Sequence, residues 1–146
     1  MNTTITQRLA VHVADVQVMY VKLHNYHWHV KGLNFKPIHE FTEALYDELA
    51  EQYDELAERM LMLGAKPPVT MKDYLAMSAI TEEPGTDHST QDVLKGIQKD
   101  FTYLLNEVKE TRKIAADAED AGTDALLSDL IASLEKHLWM IKASLS

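Results

Sequence analysis

Apolar side chains recur every three or four residues at Ile5, Leu9, Val13, Val16, Tyr20 and Leu23, the period of one helix face. Thr3 or Thr4 offers an N-cap and Gly32 an exit, so a first helix is expected over residues 4–31. The pattern resumes at Phe41, Leu45, Leu49, Leu56, Met60 and Leu63, with Tyr53 bridging it. Pro37 suits a helix start, and Gly64 with Pro67 and Pro68 stops it, which gives a second helix over 38–63. Thr90 opens a third helix carried by Val93, Ile97, Phe101, Leu104, Leu105 and Val108 to about Ala118. The fourth follows AEDAGTD and carries Leu126, Leu127, Leu130, Ile131, Leu134, Leu138 and Ile141.

No segment sustains the period-two alternation of a strand. Two short connections flank a long one, residues 64–89, in which MKDYLAMS reads as a short extra helix. The expected fold is therefore all-α: a ferritin-like four-helix bundle whose second pair is reached by a crossover, in one domain over residues 1–146.

Composition then narrows the function. Apolar residues are 46% of the chain, enough for a core, and the absence of cysteine removes disulfides, thiolate metal sites and cysteine catalysis. The start MNTTITQRLA lacks the pattern of a secretory signal, and no apolar run approaches the ~20 residues that span a bilayer. A cytoplasmic protein without membrane contact is expected. The net charge of −9 and the lack of a Lys/Arg-rich arm argue against nucleic acid as a partner.

Five of the seven histidines fall within residues 12–39, namely His12, His24, His27, His29 and His39. Imidazole beside hard carboxylates suits iron or manganese. On the second helix, with His39 at zero, Glu43 falls at about 40°, Asp54 at about 60°, Asp47 at about 80° and Glu58 at about 100°. Most acidic helix faces are simply solvated. This one, however, carries no Lys or Arg to balance it, and like charges one turn apart cost stability. A rise of ~1.5 Å per residue separates His39 from Glu58 by roughly 28 Å, so one chain cannot gather both around one ion. His39 and Glu58 are nevertheless equidistant from the midpoint between Glu48 and Leu49, and so are Glu43 and Asp54. A two-fold axis there would set Glu43 opposite Asp54 of the partner subunit and His39 opposite Glu58 of the partner subunit. His27, at the end of the first helix, would complete each of two equivalent sites.

The stretch LHNYHWHVKGLNFKPIHEFTEALYDELAEQYDELAERMLMLGAKP resembles the Dps family of small ferritin-like proteins, and the similarity continues to KHLWMIKASL near the C-terminus. Its distinctive elements are the His27–Trp28 pair, His39 eleven residues after Trp28, and Asp54-x-x-x-Glu58-Arg59. The resemblance implies a shell of twelve subunits. It implies Fe²⁺ oxidised by hydrogen peroxide, or by dioxygen, with two iron ions per site and ferric mineral stored in the cavity as protection against oxidative damage. It places His27 and His39 of one subunit against Asp54 and Glu58 of the partner subunit, with Trp28 as an adjacent aromatic that takes up oxidising equivalents. Glu43 departs from the family pattern, which has Asp there. Asp117, Asp120 and Asp124 are the candidates for an acidic pore that admits iron, although Ala125 stands where relatives often carry Asp, and all three acids equally suit a helix start.

Competing readings are a DNA-condensing protein with incidental iron binding, and a di-metal enzyme of the Glu-x-x-His type. Many Dps relatives bind DNA through a lysine-rich tail, which this chain lacks, and it contains no Glu-x-x-His. His12, His29, His88 and His137 are expected to be structural, as is His24 unless it faces the interface. Trp139 and the seven methionines are expected to pack in the core, and Asp47 to lie beside the site.

Overall fold

The computed structural model describes residues 3–146. Four long helices, α1 (Thr3–His29), α2 (Phe35–Met62), α4 (Thr90–Asp117) and α5 (Ala121–Leu145), form the bundle. The short α3 (Met71–Met77) lies in the crossover and packs on α1. Each long helix turns its apolar stripe inward. Leu9, Val13, Met19 and Leu23 of α1 meet Leu45, Leu49 and Leu56 of α2, Ile97, Phe101 and Val108 of α4, and Leu127 and Leu134 of α5 in one core.

The ends differ from expectation by a few residues. The first helix stops at His29, because Val30 and Lys31 pair in parallel with His88 and Ser89 as two-residue strands β1 and β2. This bridge, too short to alternate, ties the end of α1 to the start of α4. The long helices therefore run up, down, down, up, the order that a long crossover requires. α2 starts at Phe35, three residues early, with Pro37 inside its first turn, where the missing N–H costs nothing. Neither Thr3 nor Thr4 precedes α1, since both already belong to it. Ser89 and Asp120 cap α4 and α5 by accepting from the backbone N–H of Asp92 and Thr123.

Packing of two residue types also departs from expectation. Trp139 is 68% exposed, and Met62, Met71 and Met77 are exposed, whereas Met19 and Met60 lie in the core and Met140 is half-buried. Met1 lies outside the described residues. Helical spacing places a side chain on a face; it does not say whether that face meets the core.

Buried polar groups tie the elements together. Asp15 of α1 accepts from the Ser78 hydroxyl at 2.7 Å, the Ala79 N–H at 3.1 Å and the Tyr103 hydroxyl at 2.8 Å, which anchors the crossover to both α1 and α4. Burial raises the Asp15 pKa, and these three donors partly offset it. Lys22 bonds Asp100 at 2.7 Å and the Thr81 carbonyl at 2.7 Å. Arg59 of α2 lies over Gly122, where a Cβ would come within 2.8 Å of its guanidinium, and reaches Asp120 and Thr123 of α5 at 2.7 and 2.9 Å.

His12 is 1% exposed, and burial, then the charge of Arg8, lowers its pKa to about 3. The unfolded chain would protonate it near 6.5. Between those values the unfolded state binds more protons, so His12 contributes stability that is complete above pH 6.5 and lost on acidification towards 3, at up to ~1.4 kcal/mol per pH unit. Urea titrations at pH 7, 6, 5 and 4 should therefore show a steeper acid loss for the natural chain than for His12→Leu. Parallel curves would contradict this assignment.

Candidate metal centre

The connector from Val30 to Asn34 is so short that the last turn of α1 lies beside the first turn of α2. Gly32 and Asn34 both take positive φ, 108° and 67°, to make the turn. His27 and His39 then stack, ring centroids 3.7 Å apart and planes 14° from parallel. Their hydrogen bonds are reciprocal. Nδ1 of His27 lies 2.7 Å from the His39 carbonyl, and Nδ1 of His39 lies 2.8 Å from the His27 carbonyl. A carbonyl only accepts, so both Nδ1 atoms carry the proton and both Nε2 atoms keep a free lone pair. Two imidazoles are thus fixed in the tautomer that ligates a metal through Nε2, each oriented by a backbone carbonyl.

Thr42 supports this clasp by donating to the Ile38 and His39 carbonyls at 3.0 and 2.9 Å, with its oxygen 3.2 Å from Nδ1 of His27. The sequence did signal it, since Thr42 stands one turn after His39 on the same helix. Tyr46, seven residues after His39, lies on nearly the same side of α2, about 20° away. Its ring stacks on His24 at 3.8 Å, meets His27 edge-on at 5.3 Å, and its hydroxyl donates to Glu43 at 3.4 Å. His24 therefore packs beside the site, its Nδ1 donating to the Tyr20 carbonyl.

Glu43, Asp47, Asp54 and Glu58 are exposed along one face of α2, as their spacing requires. Glu58 and Asp54 are one turn apart. A hydrogen bond between them, then the charge of Asp54, raises the Glu58 pKa. Such a pair resists carrying two negative charges unless a cation joins it. Among the described residues no three His, Asp or Glu side chains converge as a metal cluster. The imidazoles and the Asp54–Glu58 pair sit at opposite ends of a rigid helix, as the rise per residue demands. Around the imidazole end the surface is apolar. Trp28 is 66% exposed, Leu33 87% and Phe35 43%, and the Phe35 ring stacks on His39 at 5.2 Å.

The remaining candidates have roles within the chain. Asp120 caps α5 and pairs with Arg59; burial works to raise its pKa, but hydrogen bonds from Thr123 and Arg59 outweigh it and hold it low. Asp124 bonds Arg112 at 2.8 Å, which lowers its pKa, and accepts from Ser128. Asp117 is exposed at the end of α4. Two of the three candidate pore acids are thus already neutralised by arginine. His29 bonds Asn25, His88 the Gly85 carbonyl, and His137 Glu48.

Comparison with known proteins agrees with this architecture. Residues 6–146 match the ferritin-like domain family. The chain is 42% identical to DNA protection during starvation protein 2 of Bacillus anthracis, over 100% of this chain and 99% of that one. It superposes on the crystal structure of antigen TpF1 from Treponema pallidum with a TM-score of 0.98 at 42% identity, covering 99% of this chain and 92% of the other. The Dps protein of Vibrio cholerae O1, described as a member of a broad superfamily of ferritin-like diiron-carboxylate proteins, gives 0.94 at 33% identity, over 99% and 90% of the two chains. The chain belongs to the ferritin-like family and, within it, to the Dps proteins.

Proposed function

We propose that the chain stores iron and protects against oxidative damage, by oxidising Fe²⁺ with hydrogen peroxide at a centre shared between two copies. The single observation that carries this reading is the reciprocal His27–His39 clasp, which presents two Nε2 lone pairs with no carboxylate convergent on them among the described residues. Its support from known proteins is the diiron-carboxylate description of the Vibrio cholerae Dps protein.

In this reading α2 packs antiparallel against α2 of a second copy. The exposed Asp47 and Ala50 then lie at the dyad, and the small Ala50 side chain permits close approach. His27, His39 and Glu43 of one subunit face Asp54 and Glu58 of the partner subunit, twice per dimer. The exposed Trp28, Leu33 and Phe35 form an apolar rim that the second copy covers. Two imidazoles and the carboxylates hold Fe²⁺ as substrate and leave positions open to the oxidant. Two Fe²⁺ surrender one electron each, the O–O bond of one peroxide breaks, and two protons complete two waters. No hydroxyl radical is released. Trp28 stands at the edge of the centre as a donor of single electrons. Twelve subunits form a shell in which acidic side chains collect Fe³⁺ as mineral.

Among the described residues no helix is long and apolar enough to cross a membrane, and cytoplasmic location is part of this proposal. The −9 charge disfavours duplex DNA as a partner. No retention of duplex DNA is expected in a gel shift at low salt with magnesium; a robust shift would establish the DNA-condensing reading instead.

Peroxide-driven Fe²⁺ oxidation, followed by absorbance, should fall at least tenfold in both His39→Ala and Asp54→Ala/Glu58→Ala. Equal rates to the natural chain would remove the centre. Mixed assembly of these two inactive variants gives a sharper result. Each hybrid dimer contains one intact site, so random mixing should restore about a quarter of the activity. A mixture as inactive as its parents would mean that the ligands do not come from two copies. Size-exclusion chromatography should show a particle near twelve times the 16.6 kDa chain; a stable monomer would exclude the shared site.

A further inference from the structure

A small cavity of about 10 Å³ between the four long helices is lined by His12 of α1, Leu49 and Gln52 of α2, Leu104 of α4 and Leu130 of α5. Two of these lining residues each carry a buried polar atom with no hydrogen-bond partner among the described residues, Nδ1 of His12 and Oε1 of Gln52. A buried acceptor left unpaired is destabilising.

Both atoms are acceptors. Thr111 donates its hydroxyl proton to the Glu107 carbonyl at 3.1 Å and accepts from Nε of Arg8 at 2.8 Å. With the Thr111 proton so placed, Nε2 of His12, 2.8 Å from the same oxygen, is the donor, which leaves Nδ1 as a lone pair. Burial keeps the ring neutral. The Gln52 amide is oriented by Glu48, whose carboxylate accepts from Nε2 of Gln52 at 3.3 Å. A flipped amide would set oxygen against carboxylate. Oε1 of Gln52 is consequently the amide atom left without a partner.

We propose that the cavity is a binding site for one water molecule, which donates one hydrogen bond to Nδ1 of His12 and the other to Oε1 of Gln52. The volume suits one water, and two polar partners suffice to hold it. An ion does not fit, because no carboxylate lines the cavity and its other walls are aliphatic. An apolar guest does not fit, because both acceptors would remain unpaired. The water joins two half-networks into one chain: Glu107 and Arg8, Thr111, His12, water, Gln52, Glu48, then Ser133 and His137, the last 2.6 Å from Glu48. All four long helices contribute. Sliding any one by a turn breaks the chain, so the bound water fixes their register, which an aliphatic core alone tolerates more loosely.

A crystal structure of the assembled protein that resolves ordered solvent should show a water within about 2.7–3.1 Å of both atoms. Solid-state ¹⁵N NMR of histidine-labelled protein should show His12 protonated at Nε2 and bare at Nδ1. A cavity without density, or His12 protonated at Nδ1, would overturn the proposal without touching the iron reading. Gln52→Met should remove the water peak and lower Tm, and His12→Phe/Gln52→Met should lose less than the sum of the single losses. Strict additivity of the two losses would also overturn it.

Discussion

The candidate centre depends on one exchange of hydrogen bonds, between the imidazoles and carbonyls of His27 and His39. The His27 carbonyl, in the last turn of α1, would otherwise lack an intrahelical partner, and the His39 ring takes it. The His39 carbonyl, already inside α2, accepts the His27 ring as a further donor. The exchange therefore fixes the angle at which α2 leaves α1, and it fixes the chemistry of both rings. A side chain bonded through Nδ1 in this way can serve a metal only through Nε2, and both Nε2 atoms belong to one stacked pair. The glycine and asparagine of the connector, with positive φ, are the local condition for this close return.

The second constraint is the straightness of α2. A helix that keeps its ligands on one face keeps them in a line, so the Asp54–Glu58 pair stays far from the imidazole clasp. The antiparallel pairing about a dyad that we propose would turn that separation into coincidence, with both ends meeting twice. Assembly and chemistry are then one requirement, and the apolar rim of Trp28, Leu33 and Phe35 belongs to the same face.

Away from this face the polar groups serve the fold. Asp15 holds the crossover, Arg59 and Asp120 join α2 to α5, and the His12–Gln52 region carries polarity through the centre of the bundle. The acids that resembled a pore by position are drawn into these contacts through Arg59 and Arg112. An acidic residue at a helix start serves the dipole and the cap before it serves a solute.

The helices and their order could be read from the sequence because the 3.6-residue period is local, as are Gly32, Gly64 and the Pro67–Pro68 stop. The Dps resemblance and the shared face of His39, Glu43, Asp54 and Glu58 were legible for the same reason, since a helix turns spacing into direction. The two-residue bridge of Val30 and Lys31 with His88 and Ser89 was not, because strands that short carry no period. Nor was the exposure of Trp139, since a helix face does not name its neighbour. The tautomers, the contacts of Thr42 and Tyr46 with His27, and the His12–Thr111 bond join residues 12 to 99 positions apart in the chain. Hydrogen bonds of this kind form only once two helices have met at a given register, so tertiary packing alone could decide them.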